Sequence, residues 1–219
     1  MTSKLFSVFL LVATGAARAE EFALEVASFR VLERDLGPDS APGTSSYYRV
    51  VSENGRSFLH AAYQPSAETV TLFRGLPDHL GHGVHTLRFR WRALALPSGG
   101  NECIPERGDA AATVYVTWKR GMRWYSLKLI WSSEAPLGAT CNKVRNPFVA
   151  SDTIVLRSGG PVGEWREESV DIEHLFREHF ANGDPRAEIP ELQGLGLLTD
   201  GDQTNSPSAA DYADFVLLK

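Results

Sequence analysis

Cysteine is nearly absent: only Cys103 and Cys141 occur in 219 residues. Neither sits in a Cys-x-x-Cys motif or beside a histidine, so a catalytic or redox thiol is not expected. Positive charge is also scarce. Twenty-two Lys and Arg stand against 27 Asp and Glu, giving −5, with no basic tail. That excludes a general nucleic-acid binder, which needs a basic face to displace counterions. There is no Gly-x-Ser-x-Gly elbow, no His-Glu-x-x-His and no P-loop, so these hydrolase and nucleotide classes are set aside. No repeat, low-complexity tract or long linker divides the chain, and its length suits one substantial core.

The one apolar run, Leu5 to Ala17, is short for a membrane span, which needs about 20 residues. Lys4 precedes it and Ala17-Arg18-Ala19 closes it with the small-x-small cleavage pattern. This is the form of a secretory signal peptide, residues 1–19, followed by one domain over residues 20–219. Losing Lys4 and Arg18 with that segment moves the net charge from −5 to −7. The expectation is a periplasmic or secreted protein with no transmembrane segment after cleavage. No Cys follows the run, which argues against a lipoprotein anchor. In an exported chain two cysteines read as a disulfide, here Cys103–Cys141.

Most of the remainder reads as strands. Leu87-Arg88-Phe89-Arg90-Trp91-Arg92-Ala93 alternates apolar and Arg, a period of two. Thr113 to Trp118 and Trp124 to Trp131 are rich in β-branched and aromatic residues, and Lys119 to Arg123 between them reads as a hairpin turn. Further strands are expected at 47–51, 58–63, 69–73, 153–157, 195–199 and 215–218. One helix is expected at Ser169 to Phe180, with Asp171 as a cap and Asn182-Gly183 as a stop. These elements make an all-β protein: an antiparallel β-sandwich of jelly-roll type with one short helix.

Several segments carry a family resemblance: Gly108-Asp109-Ala110-Ala111-Ala112-Thr113-Val114-Tyr115-Val116, Trp131, Ser158-Gly159 to Trp165, Thr199-Asp200-Gly201-Asp202-Gln203-Thr204, and Tyr212-Ala213-Asp214-Phe215. Their order resembles the bacterial exported family of unknown function numbered three thousand and forty-seven, over roughly residues 45–218. The resemblance implies a sandwich similar to jelly-roll carbohydrate-binding modules and no established activity. Against the family pattern, Ala110 stands in place of Asp, Gln203 of Asn, Ala213 of Gly, Thr113 of Arg and Lys128 of Asn.

Four constellations bear chemistry. Asp200, Asp202, Thr204, Asp211 and Asp214 offer oxygens of the kind Ca²⁺ prefers, although a solvated turn would use the same residues. Arg88, Arg90 and Arg92 project to one side of a strand, where they would either bind acidic groups bidentately or pair with neighbouring acids. Among the aromatics, Trp124 and Tyr125 follow a turn and, with Lys128, suggest a sugar-binding groove. His79, His82 and His85 lie around glycines and lack a fourth ligand for zinc. Asp109, Glu134, Glu168 and Asp214 include candidates for a catalytic carboxyl pair. The leading expectation is a non-catalytic exported protein that binds glycan or another cell-envelope component. Its proposed groove comprises Trp124, Tyr125, Lys128, Arg88, Arg90 and Arg92. The alternatives are a polysaccharide hydrolase or lyase, and a structural envelope protein with a protein partner.

Overall fold

The computed structural model describes residues 20–31 and 47–219. The expected signal peptide, residues 1–19, lies outside the described residues. The strands in chain order are β1 (Glu21–Leu24), β2 (Arg30–Val31), β3 (Tyr48–Glu53), β4 (Arg56–Tyr63), β5 (Leu72–Gly75), β6 (Thr86–Ala95) and β7 (Ala110–Arg120). They continue as β8 (Arg123–Ser132), β9 (Thr140–Arg145), β10 (Val149–Ser158), β11 (Arg166–Asp171), β12 (Glu191–Leu198) and β13 (Ser208–Leu218). One turn of helix, α1, spans Asp78–Gly81, and the longer helix α2 spans Ile172–Phe180.

The strands form two sheets. The six-stranded sheet runs β11-β6-β13-β4-β3, with β1 paired to the other end of β13. The seven-stranded sheet runs β2-β5-β12-β7-β8-β10-β9. Alternation sets which side of each faces inward. On β6 the buried set is Leu87, Phe89, Trp91 and Ala93, while the three arginines face out. On β7 and β8 the buried set includes Val114, Val116, Trp118, Leu127, Leu129 and Trp131. Trp91 and Trp131 meet between the sheets, their ring centroids 5.8 Å apart. Each large side chain fully buried there stabilises the fold by roughly 1.5–3 kcal/mol.

Beyond the reach of the six-stranded sheet, α2 covers the same inner face. Its Phe176 lies edge-on to Trp118 at 5.3 Å and to Tyr125 at 5.2 Å. Asp171 caps the helix, accepting from the His174 backbone N–H at 2.8 Å. Asn182 and Gly183, both at positive φ, end it as expected. A cluster around the buried Asp152 carboxylate fastens the helix to the sheet. Arg145 of β9 donates two hydrogen bonds to Asp152 of β10, at 2.6 and 2.9 Å, and His179 of α2 lies 2.7 Å from the same carboxylate.

The sandwich departs from a purely antiparallel one in a single pairing, because β10 lies parallel to β8. The chain leaves β8, crosses to the outer edge as β9, and returns antiparallel to β9 between it and β8. Strands β1, β2, β9 and β11 were not expected. β9 and β11 carry polar or charged residues at alternate or successive positions, β1 and β2 are only four and two residues long, and all four sit at sheet edges, where half a strand meets water. No helix among the described residues is long and apolar enough to cross a membrane.

Candidate active site

Two rows of side chains cross the outer face of the seven-stranded sheet. Register places Gly196, Tyr115, Lys128 and Thr153 in one row, and Gly194, Thr117, Ser126 and Ser151 in the next. At Gly196 an added Cβ would lie 3.1 Å from the Cβ of Tyr115 and 3.2 Å from its ring, so the tyrosine would have to give way. The Lys128 ammonium lies 5.4 Å from the centre of the Tyr115 ring. Beside it, the hydroxyl of fully buried Thr153 has no hydrogen-bond partner among the described residues.

Over one end of this face folds the loop between β6 and β7. The Cys103–Cys141 disulfide, with Cα atoms 4.9 Å apart, fastens the loop to β9. A small apolar cluster of Ala110, Ile130, Ala135, Cys141 and Val155 seals the contact. The loop carries Glu102, which is only 4% exposed, and leads into Asp109, which is fully buried. Asn142, next to Cys141, donates its amide N–H to Glu102 Oε2 at 3.2 Å.

A second carboxylate group closes the end of the sandwich. Carboxylate oxygens of Asp109, Asp200 and Asp202 lie within 4.8 Å of one another. Asp109 accepts the backbone N–H groups of Gln203 and Thr204 at 3.2 and 2.6 Å, and Asp200 accepts that of Ala110 at 3.0 Å. Burial and neighbouring charge shift Glu102, Asp200 and Asp202. Burial pushes the Glu102 carboxyl up to about 7; Lys128 opposes the shift and Asp109 adds to it. Burial also raises Asp200 well above the carboxylate range, against the Ala110 hydrogen bond and with the charge of Glu102. Asp202 is raised by burial and by Asp109. Tyr115 is pushed far above its usual range by burial, then by Asp200 and Glu102, so it stays protonated and is no base. A buried carboxyl pushed up to about 7 can hold a proton near neutrality, which suits it to general acid chemistry.

The residues expected to form one groove do not share a surface. Trp124 and Lys128 lie on the outer face of the seven-stranded sheet, with Lys119 4.8 Å from the Trp124 ring. Tyr125, one residue on, points inward and packs under α2 against Phe176 and Phe180. Arg88, Arg90 and Arg92 lie on the other sheet, paired with Glu21, Asp214 and Asp211 at 2.9, 3.0 and 2.6 Å. The expected Ca²⁺ set is divided as well. Only Asp200 and Asp202 join Asp109. Thr204 bonds Ser206 at 2.7 Å, while buried Asp211 is 2.7 Å from His60 on the far sheet. Of the carboxyl candidates, Glu168 is taken up by Arg157 and Trp91 at 2.7 and 2.9 Å, and Asp214 is on the far face. Glu102 escaped the sequence reading; its one signal was its place beside a bridged cysteine.

The chain matches the family described as "Protein of unknown function (DUF3047)" over residues 40–216. It belongs to that family. Around the acids of this DUF3047 protein, the Ala110 backbone N–H donates to Asp200, Gln203 Oε1 accepts from the Gly108 N–H at 2.7 Å, and Thr113 and Lys128 lie on the same sheet face. No curated protein matches the chain in sequence. Among solved structures it is similar to the xyloglucanase domain of NopAA, a type three effector from Sinorhizobium fredii, in complex with cellobiose. The identity is 11%, the match covers 90% of this chain and 100% of the other, and the TM-score is 0.45. It is similar also to Trichoderma harzianum endoglucanase 3 from family GH12, with 9% identity, coverage of 94% and 99%, and a TM-score of 0.42. The endo-1,4-β-glucanase CelB2 matches with 12% identity, coverage of 88% and 93%, and a TM-score of 0.45.

The expectation of a non-catalytic glycan-binding module is corrected. Its groove is divided among two outer faces and the core, and the DUF3047 chain holds a buried acid group it did not foresee.

Proposed function

We propose that this protein is an exported polysaccharide hydrolase whose proton donor is Glu102. The observation that carries the reading is the Glu102 carboxyl itself: 4% exposed, held over the end of the sheet face by the Cys103–Cys141 bridge and the Asn142 amide, and pushed by burial to about 7. Cleavage of a glycosidic bond needs a protonated carboxyl for the leaving oxygen and a charged one for water or for the sugar carbon. Glu102 takes the first role. The group of Asp109, Asp200 and Asp202 at the same end of the sandwich supplies the candidates for the second. Tyr115, Thr117 and Ser126, with the bare backbone at Gly194 and Gly196, supply a floor for a sugar chain.

A lyase is less well supported by this site. Eliminating a uronic acid needs a cation for the carboxylate and a base of accessible pKa. Tyr115, the side chain beside Lys128 on this face, holds its proton and supplies no base. Residues 20–219, incubated with neutral β-glucans, xylans and mannans, should release reducing ends. Glu102→Gln should lower the rate by about a hundredfold or more. Full activity in that variant, or no release from any of these polymers, would refute the assignment.

A further inference from the structure

The six-stranded sheet carries, on its own outer face, a trough that the proposed chemistry leaves unused. Two adjoining hollows of about 280 and 740 Å³ share Arg56, Ser57, Arg90 and Asp214. One end is walled by Trp165 and Phe58, whose rings meet edge to face at 5.7 Å. The guanidinium groups of Arg90 and Arg92 lie 5.0 and 4.7 Å from the Trp165 ring and hold it in place.

The floor is irregular in a way that aims a side chain. Pairing between β13 and β6 slips between Ala213 and Val216, and Asp214 there has φ 54°. That conformation is disfavoured for a residue with a Cβ and is kept where surrounding structure enforces it. The bulge turns the Asp214 carboxylate out into the trough, 3.0 Å from Arg90. Opposite, the tip of the β3–β4 hairpin brings Arg56, which is exposed and makes no ion pair among the described residues.

The charges of the trough decide its ligand class. Arg56, Arg88 and Arg90 face Glu25, Glu53, Glu167 and Asp214, so there is no positive excess to hold a polyanion. Arg88 and Arg90 are each already bonded to an acid, yet a guanidinium has five N–H groups and keeps donors to spare. Guanidinium donors interleaved with carboxylate acceptors, beside an aromatic wall, match vicinal hydroxyls and the apolar C–H face of a sugar. We propose that this trough binds a neutral oligosaccharide chain, at a site separate from Glu102 and independent of whether Glu102 cleaves it. A long polymer would then be held on one face of the sandwich while another stretch reaches the other.

Calorimetric titration of the Glu102→Gln chain tests this with cellohexaose, xylohexaose and mannohexaose as neutral probes and hexagalacturonate as the acidic one. At least one neutral hexamer should bind, and Trp165→Ala and Arg56→Ala should each weaken it by about tenfold. Arg56 is exposed at a hairpin tip, so its variant keeps the fold even where the tryptophan variant does not. Tighter binding of hexagalacturonate, neutral binding untouched by Arg56→Ala, or no binding of any neutral hexamer would overturn the proposal. Release of reducing ends by the unmutated chain is read separately, so failure of the hydrolase reading leaves this result interpretable.

Discussion

Asn142 donates to Glu102 at 3.2 Å across the Cys103–Cys141 bridge, one partner adjacent to each cysteine. The disulfide therefore does more than join two loops. It holds an acid-bearing segment without regular structure against the sheet and keeps water from its carboxyl, the condition that raises the proton affinity of Glu102.

Removing the bridge should act on stability and on chemistry together. The cysteines are 38 residues apart. Loop-closure entropy for that length predicts a loss of about 4 kcal/mol in the Cys103→Ser, Cys141→Ser protein. Denaturant unfolding measures this. Carboxyl ¹³C NMR on the same protein should show Glu102 titrating closer to 4.5, the value of the free side chain.

Glu102 should make the protein less stable as pH rises. Its folded-state value of about 7 lies above the free value of 4.5. Below the lower figure it is neutral in both states and carries no penalty. Between the two, unfolding releases a proton and stability falls, and above 7 the full cost remains, roughly 3 kcal/mol. Glu102→Gln should therefore stabilise the protein at about pH 8 and make little difference at about pH 4, while activity is lost. Urea unfolding at both pH values checks the sign.

The anchor of α2 has the opposite dependence. Burial disfavours the charge on Asp152, but hydrogen bonds from Arg145 and His179 outweigh it and hold the carboxyl below its usual range. Its contribution is present at neutral pH and is lost as pH falls below the ordinary Asp range. Asp152→Ala should cost about 2 kcal/mol, less than a fully enclosed pair because Arg145 is partly exposed. Hydrogen exchange should increase first in residues 172–180.

Tyr212 joins the two sheets through its hydroxyl. That group donates to Leu198 O at 2.6 Å, lies 2.7 Å from Thr199 Oγ1, and accepts the Thr113 N–H at 3.3 Å. Tyr212→Phe keeps the ring but leaves buried polar groups short of a partner, at a cost of about 1–3 kcal/mol. A lowered melting temperature with an unchanged circular dichroism spectrum is the expected result.

Much of the sandwich is legible along the chain because a strand with one face buried must alternate. β6 shows this in every residue from Leu87 to Ala93, and α2 announces itself by period and caps. β9 hid because its residues follow the loop around Cys141 and only Cys141 is buried. The candidate site was harder still. Glu102, Asp109 and Asp200 reach one end of the fold from two loops nearly 100 positions apart, and local spacing carries no trace of that meeting.

Side-chain alternation and turn residues thus determined the class of fold and which face of each long strand enters the core, since these depend on neighbours two to four residues away. Only the tertiary structure decided that the arginine stripe lies on the opposite sheet from Lys128, that Tyr125 is under a helix while Trp124 is outside, and that Glu102 is enclosed. Strand order and loop closure set those distances, and proton affinity follows from the burial and charges they bring together.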